Sequence, residues 1–156
     1  MELDAYHEAG HAYMAIRLGG RVTLVSIEPE CDDGPRRSGE TQVRWSRKLT
    51  ERQLCEHAIQ VALAGPVAEM LYSGNPYHPG LVAEWAHDWQ MAEEQARRLM
   101  RQEHERIEFL ERMTAALYRQ LDAEPHWSAI AALADHLLAH ETLEGPQARE
   151  IVGDWV

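Results

Sequence analysis

The stretch HEAGH near the start of the chain sets His7 and His11 four residues apart, with Glu8 directly after the first histidine. On a helix, residues i and i+4 lie about one turn apart on the same face, so both imidazoles can aim a nitrogen at one ion. Glu8 falls on an adjacent part of that surface, within reach of a metal-bound water rather than of the metal. Zinc-assisted hydrolysis needs this division: neutral imidazoles hold the ion and a carboxylate takes the proton of the water. Gly10 is read as leaving the surface bare beside the ligands, since glycine inside a helix otherwise costs about 1 kcal/mol.

A zinc site of this kind takes a third protein ligand from His, Asp or Glu. The candidates are Glu69, Glu84, Asp88 and the downstream histidines. Asp88 sits early in the amphipathic stretch EWAHDWQMAEEQARRLM. Glu69 stands among apolar neighbours in AGPVAEML, where a carboxylate needs a partner. It either binds the metal or holds the second nitrogen of a ligand histidine. Other signals have plainer readings. His136 and His140 form another i, i+4 pair without a carboxylate placed for chemistry, and His87 reads as a solvated neighbour of Asp88. Cys55 and His57 are two residues apart and share no helix face, which excludes a thiol catalyst built from them. The five tryptophans read as core and rim packing, and RRLMRQEHERIEFLER as a solvated charged helix face.

The elements that must carry these residues are legible in outline. Leu3, Tyr6, Gly10, Tyr13, Met14 and Leu18 recur at helical spacing until Gly19 and Gly20 stop the helix. RVTLVSIE is rich in β-branched residues and predicts a strand; GETQVRW predicts a second strand pairing with it across a polar loop. Thr50 and Gln53 have the form of a capping box, opening a helix to about Tyr72 that Gly65 and Pro66 are expected to kink. From Leu81 to Pro125 the pattern is helical, with a break expected near QEHE. A further helix covers His126 to His140, and Pro146 starts a short last one. The expectation is one α+β domain over residues 1–156, mostly helical, with a sheet of two or three strands.

Composition narrows the function classes. With 156 residues and 45% hydrophobic content, the chain can close one sizeable core. Its 26 acids against 15 bases, a formal charge of −11, argue against a nucleic-acid partner, which needs a basic face. The longest apolar stretch, AIQVALAGPVAEML, falls short of a membrane span, and the acidic start does not suit a signal peptide. Cys31 and Cys55 show no secreted disulfide spacing and are read as free thiols in a reducing cytoplasm.

Five ordered stretches together resemble the catalytic domain of the FtsH-type, ATP-dependent zinc metalloproteases. AYHEAGHA is similar to that family's motif with its flanks, and RVTLVSIEP to the strand that follows it. ALAGPVAEML resembles the family's Leu-Gly-Gly-Arg-Ala-Ala-Glu-Glu segment, HDWQMAEEQARRLM its Asn-Asp-Leu helix, and LLAHETLEG its closing helix and turn. The resemblance implies a zincin-like, largely helical protease domain with zinc on His7, His11 and Asp88 and Glu8 as general base. It implies an extended polypeptide as substrate, and a strand within 39–45 is expected to offer an edge for it.

The chain also departs from that pattern. Glu84 and Trp85 stand where the family has Gly-Ala, which is expected to alter the rim of the cleft. One glycine of the Gly-Gly pair is kept, as Gly65, and Pro66 follows it. This chain carries no P-loop, ATPase module or membrane segment. That fits a free-standing relative or a domain of a longer protein, served by an ATPase or other partner, or assembled as a homo-oligomer. The rival from another class is a zinc-binding regulatory or scaffold relative that keeps the fold without cleaving.

Overall fold

The computed structural model describes residues 1–28 and 39–156. Among the described residues are six α-helices and a three-stranded antiparallel sheet, against which α1, α5 and α6 pack, an α+β arrangement that is mostly helical. In chain order the elements are α1 (Glu2–Arg17), β1 (Arg21–Ser26), β2 (Glu40–Arg44), α2 (Glu51–Ser73), α3 (Ala86–Arg97), α4 (Glu103–Asp122), α5 (His126–His140), β3 (Thr142–Glu144) and α6 (Gly145–Gly153). The strand order is β2-β1-β3, so β2 lies at an edge. Val22 pairs with Val43, Ser26 with Glu40 on one side and with Thr142 on the other.

Helix α1 is the central element, packed chiefly against α2 and α5. Every residue from Glu8 to Ala15 is buried, far more than one apolar stripe provides. Small residues make this burial possible: Ala5, Ala9, Ala12 and Ala15 have no exposed surface. Leu3, expected on the inner face, is instead exposed. Gly10 has a different task from the one its position suggested. A side-chain carbon there would lie 2.4 Å from the Ala64 carbonyl oxygen and 2.7 Å from the Ala68 methyl. Its hydrogen therefore sets how closely α1 and α2 cross.

The Thr50 capping box forms: the Thr50 hydroxyl accepts the Gln53 N–H at 3.1 Å, and the Gln53 side chain accepts the Thr50 N–H at 2.9 Å. Helix α2 runs on through Pro66 to Ser73. The expected break near QEHE falls between α3 and α4. Pro79–Leu81 and Ala83–Trp85 form two short 3₁₀ turns, so the helix expected from Leu81 begins five residues later, at Ala86. Strand β3 lies in a stretch read as a helix end and turn; three residues pairing with β1 carry too short a pattern to betray a strand. Cys55 is a buried free thiol, and Cys31 lies outside the described residues.

Candidate metal centre

The one-turn spacing on α1 brings the two imidazoles together, ring centroids 4.6 Å apart at 84° to one another. His7 Nε2 and His11 Nε2 are 3.0 Å apart. Asp88, in the first turn of α3, completes a triangle: Oδ2 lies 2.7 Å from His7 Nε2 and Oδ1 lies 3.4 Å from His11 Nε2. In a tetrahedral zinc site with bonds near 2.0–2.1 Å, neighbouring donor atoms stand roughly 3.3 Å apart. The observed triangle is of that size, slightly contracted. Among the described residues these three form the only group of three or more such side chains close enough to share an ion.

The opposite edges of the two rings fix their tautomers. His11 Nδ1 lies 2.6 Å from the Val61 carbonyl oxygen, which only accepts, so Nδ1 carries the proton. His7 Nδ1 lies 2.7 Å from Glu69 Oε2, a carboxylate that again demands an N–H. Both neutral rings therefore turn a lone pair at Nε2 toward each other and toward the Asp88 carboxylate. Three electron-rich atoms converge on one point, an arrangement that needs a cation.

Protonation supplies that cation in the metal-free chain. Burial opposes charge on His7, but hydrogen bonds to Asp88 and Glu69 outweigh it and push its pKa up to about 10. For His11 burial is again overcome, mainly by the charge of Asp88, and its pKa also rises. Burial alone would raise Asp88, yet the charge of His11 and the bonds from both imidazoles hold its carboxyl well below the usual range.

Helix α2 forms the floor. A side-chain carbon at Gly65 would stand 2.5 Å from His11 Nε2 and 2.9 Å from His7 Nε2. Gly65, rather than Gly10, clears the space beneath the ligand atoms. Glu69 resolves to one of its two readings: it is the partner of His7 Nδ1, outside the ligand triangle. The same Oε2 also accepts the indole N–H of Trp85. Trp85, expected at a rim, is 6% exposed and packs inward.

Glu8 is 6% exposed. The Thr41 hydroxyl donates to its Oε2 at 2.5 Å, joining this carboxylate to edge strand β2. Glu8 stands outside the ligand triangle, as its position on α1 requires, and its charge acts on both imidazoles. The remaining candidates lie elsewhere. Glu84 and His87 are exposed and outside the triangle. His136 and His140 stack on the exposed side of α5, with centroids 6.2 Å apart. His57 sits against Trp45. Thr41, Trp85 and the Val61 carbonyl were not singled out for these roles in the sequence. Each acts across the fold on a residue far away in the chain, and no local spacing announces it. No protein-family model matches this chain, and no curated protein is a significant match.

Proposed function

We propose that this chain is a zinc-dependent endopeptidase domain of the FtsH protease type, zincin-like in architecture, acting on unfolded or flexible polypeptides. The observation that carries the reading is the convergence of His7 Nε2, His11 Nε2 and Asp88 beside a buried, separately anchored carboxylate, Glu8. Two imidazole nitrogens and one carboxylate suit zinc and leave a fourth tetrahedral position for water. Bound zinc would supply a Lewis acid that polarises a peptide carbonyl and acidifies water. Glu8, held by Thr41 at Oε2, takes the proton of the attacking water and returns it to the leaving amine. Glu69 and the Val61 carbonyl keep His7 and His11 in the tautomers that present Nε2. Strand β2, an edge strand among the described residues and next to Glu8 through Thr41, would offer main-chain groups to an extended substrate. Among the described residues no helix is long and apolar enough to cross a membrane. The formal charge of −11 speaks against nucleic acid as the partner.

The test combines elemental analysis with cleavage of an unfolded protein. The parent should carry one zinc per chain. Glu8→Gln should keep that zinc and lose activity by at least ~10²–10⁴. Equal activity in both would remove Glu8 from the mechanism. A zinc-loaded parent that cleaves no unfolded chain would make the domain a zinc-binding scaffold.

A further inference from the structure

Trp85 lies just before α3 and three residues before Asp88. Its side chain is 6% exposed, and its indole nitrogen, which can only donate, is bonded to Glu69. The acceptor is Oε2, the same oxygen that accepts the hydrogen bond of His7 Nδ1–H. One carboxylate oxygen on α2 therefore joins the first ligand on α1 to the foot of the helix that carries the third ligand. The chain from α2 to Asp88 runs through residues 74–85, which hold two 3₁₀ turns, and α3 packs along α2 beyond them. The Trp85–Glu69 bond ties the first turn of α3 at the ligands themselves. We propose that Trp85 is a positioning residue of the metal centre: its indole N–H fixes Glu69 against His7 and anchors the start of α3, so that Asp88 meets the two imidazoles at zinc-binding distance.

This inference rests on the metal-centre reading. Two consequences separate it from simple packing. A group that orients a ligand's hydrogen-bond partner changes metal affinity, typically 10–100-fold, whereas a packing residue changes stability first. A group that acts through Glu69 also loses its influence on the metal once Glu69 is gone.

The experiment measures zinc affinity by competition with a chromophoric chelator, together with the ligand-field absorption of the cobalt(II)-loaded protein. The proteins are the parent, Trp85→Phe, Glu69→Ala and the double variant. Trp85→Phe should bind zinc about tenfold more weakly and shift the cobalt spectrum. The double variant should bind no more weakly than Glu69→Ala alone. Replacing the Trp85 indole by benzothiophene, which keeps the shape and lacks the N–H, should reproduce the loss where phenylalanine disturbs folding. A benzothiophene protein with parental zinc affinity and cobalt spectrum overturns the proposal, as does a fully additive double variant. A parent that binds no zinc overturns the metal-centre reading and this inference with it. A parent that binds tightly, beside variants that bind equally tightly, overturns the inference alone.

Discussion

Gly10 and Gly65 face each other's helices across the α1–α2 contact, and adding one methyl group to each should give opposite phenotypes. At Gly65 the new carbon would meet His11 Cε1 and Nε2 at 2.5 Å, against the 3.4 Å at which ordinary contact begins, so the ring must retreat by about 0.9 Å. It can do so, because these atoms are the far end of a side chain, but retreat strains or breaks the 2.6 Å bond from Nδ1 to Val61. Losing that bond costs about 1 kcal/mol. Alanine in place of a helix-interior glycine returns about 1 kcal/mol. The metal-free Gly65→Ala protein should therefore melt close to the parent. Zinc tolerates ligand displacements of only about 0.2 Å, so its affinity should fall by about a hundredfold or more. At Gly10 the obstacle is the Ala64 carbonyl oxygen at 2.4 Å, main chain that cannot swing aside. Gly10→Ala must force the helices apart, an overpacking cost of about 1–3 kcal/mol, which lowers the melting temperature by roughly 2–4 °C per kcal/mol in a domain of this size. Calorimetry in chelator and a zinc competition titration measure both quantities. Parental zinc affinity in Gly65→Ala, or parental stability in Gly10→Ala, would refute the assignment of one glycine to the ligands and the other to the helix contact.

The remaining predictions concern the ligand set and its charge. Asp88→Ala should lose zinc on elemental analysis while Glu84→Ala retains it; loss in the second variant and not the first would place the third ligand wrongly. In chelator, the site should stabilise the fold fully between about pH 3.8 and 6.5. It should lose that contribution as pH falls below 3.8, because the folded-state pKa of Asp88 lies below its ordinary value, and also as pH rises toward about 10, because that of His7 lies above its ordinary 6.5. Melting temperatures taken across that range should fall in chelator and lack this component in zinc, where affinity itself grows with pH as protons leave the ligands.

Local patterns were legible in the sequence, and contacts between distant segments were not. HEAGH, the Thr50 capping box and the helix break near QEHE each depend on residues within one or two turns of each other, and each has its expected geometry. Asp88 was one candidate among several on spacing and was singled out only by the family resemblance; no local pattern shows that α3 packs on α2 with Asp88 toward the histidines of α1. Glu69 had two readings because an apolar helix face shows that a carboxylate needs a partner without showing which. Leu3 failed as a core residue because α1 is buried through its alanines, which a pattern of large apolar residues underweights. Gly10 was read as clearing space beside the ligands, a task that falls to Gly65, which was read only as part of a kink; a glycine shows that space is needed without naming what fills it.

The arrangement of charge is what the proposed metal site rests on, set against a polar network kept only for stability. Three carboxylates, Glu8, Glu69 and Asp88, act on two imidazoles; Asp88 and Glu69 do so by direct contact and Glu8 through its charge. With both rings neutral the group carries three negative charges. Either one zinc ion or two protons reduces that to one, so metal and protons are interchangeable in charge, and the raised pKa values of both histidines express the same demand. A stabilising network would be satisfied by one donor for each acceptor. Here each Nδ1 is committed to an acceptor of its own, and both Nε2 atoms are left to share one position with Asp88. Such a convergence suits a divalent metal, which accepts several lone pairs at once, while in the metal-free chain two imidazolium N–H groups can each donate to a separate oxygen of Asp88. Glu8 is surplus even to this requirement. It is buried at a cost, tied to Thr41 on a strand that is an edge among the described residues, and left out of the coordination triangle. A carboxylate so placed could serve as a base toward a water or substrate beside a bound ion, which is the role the proposed hydrolytic function gives it and the role that Glu8→Gln tests.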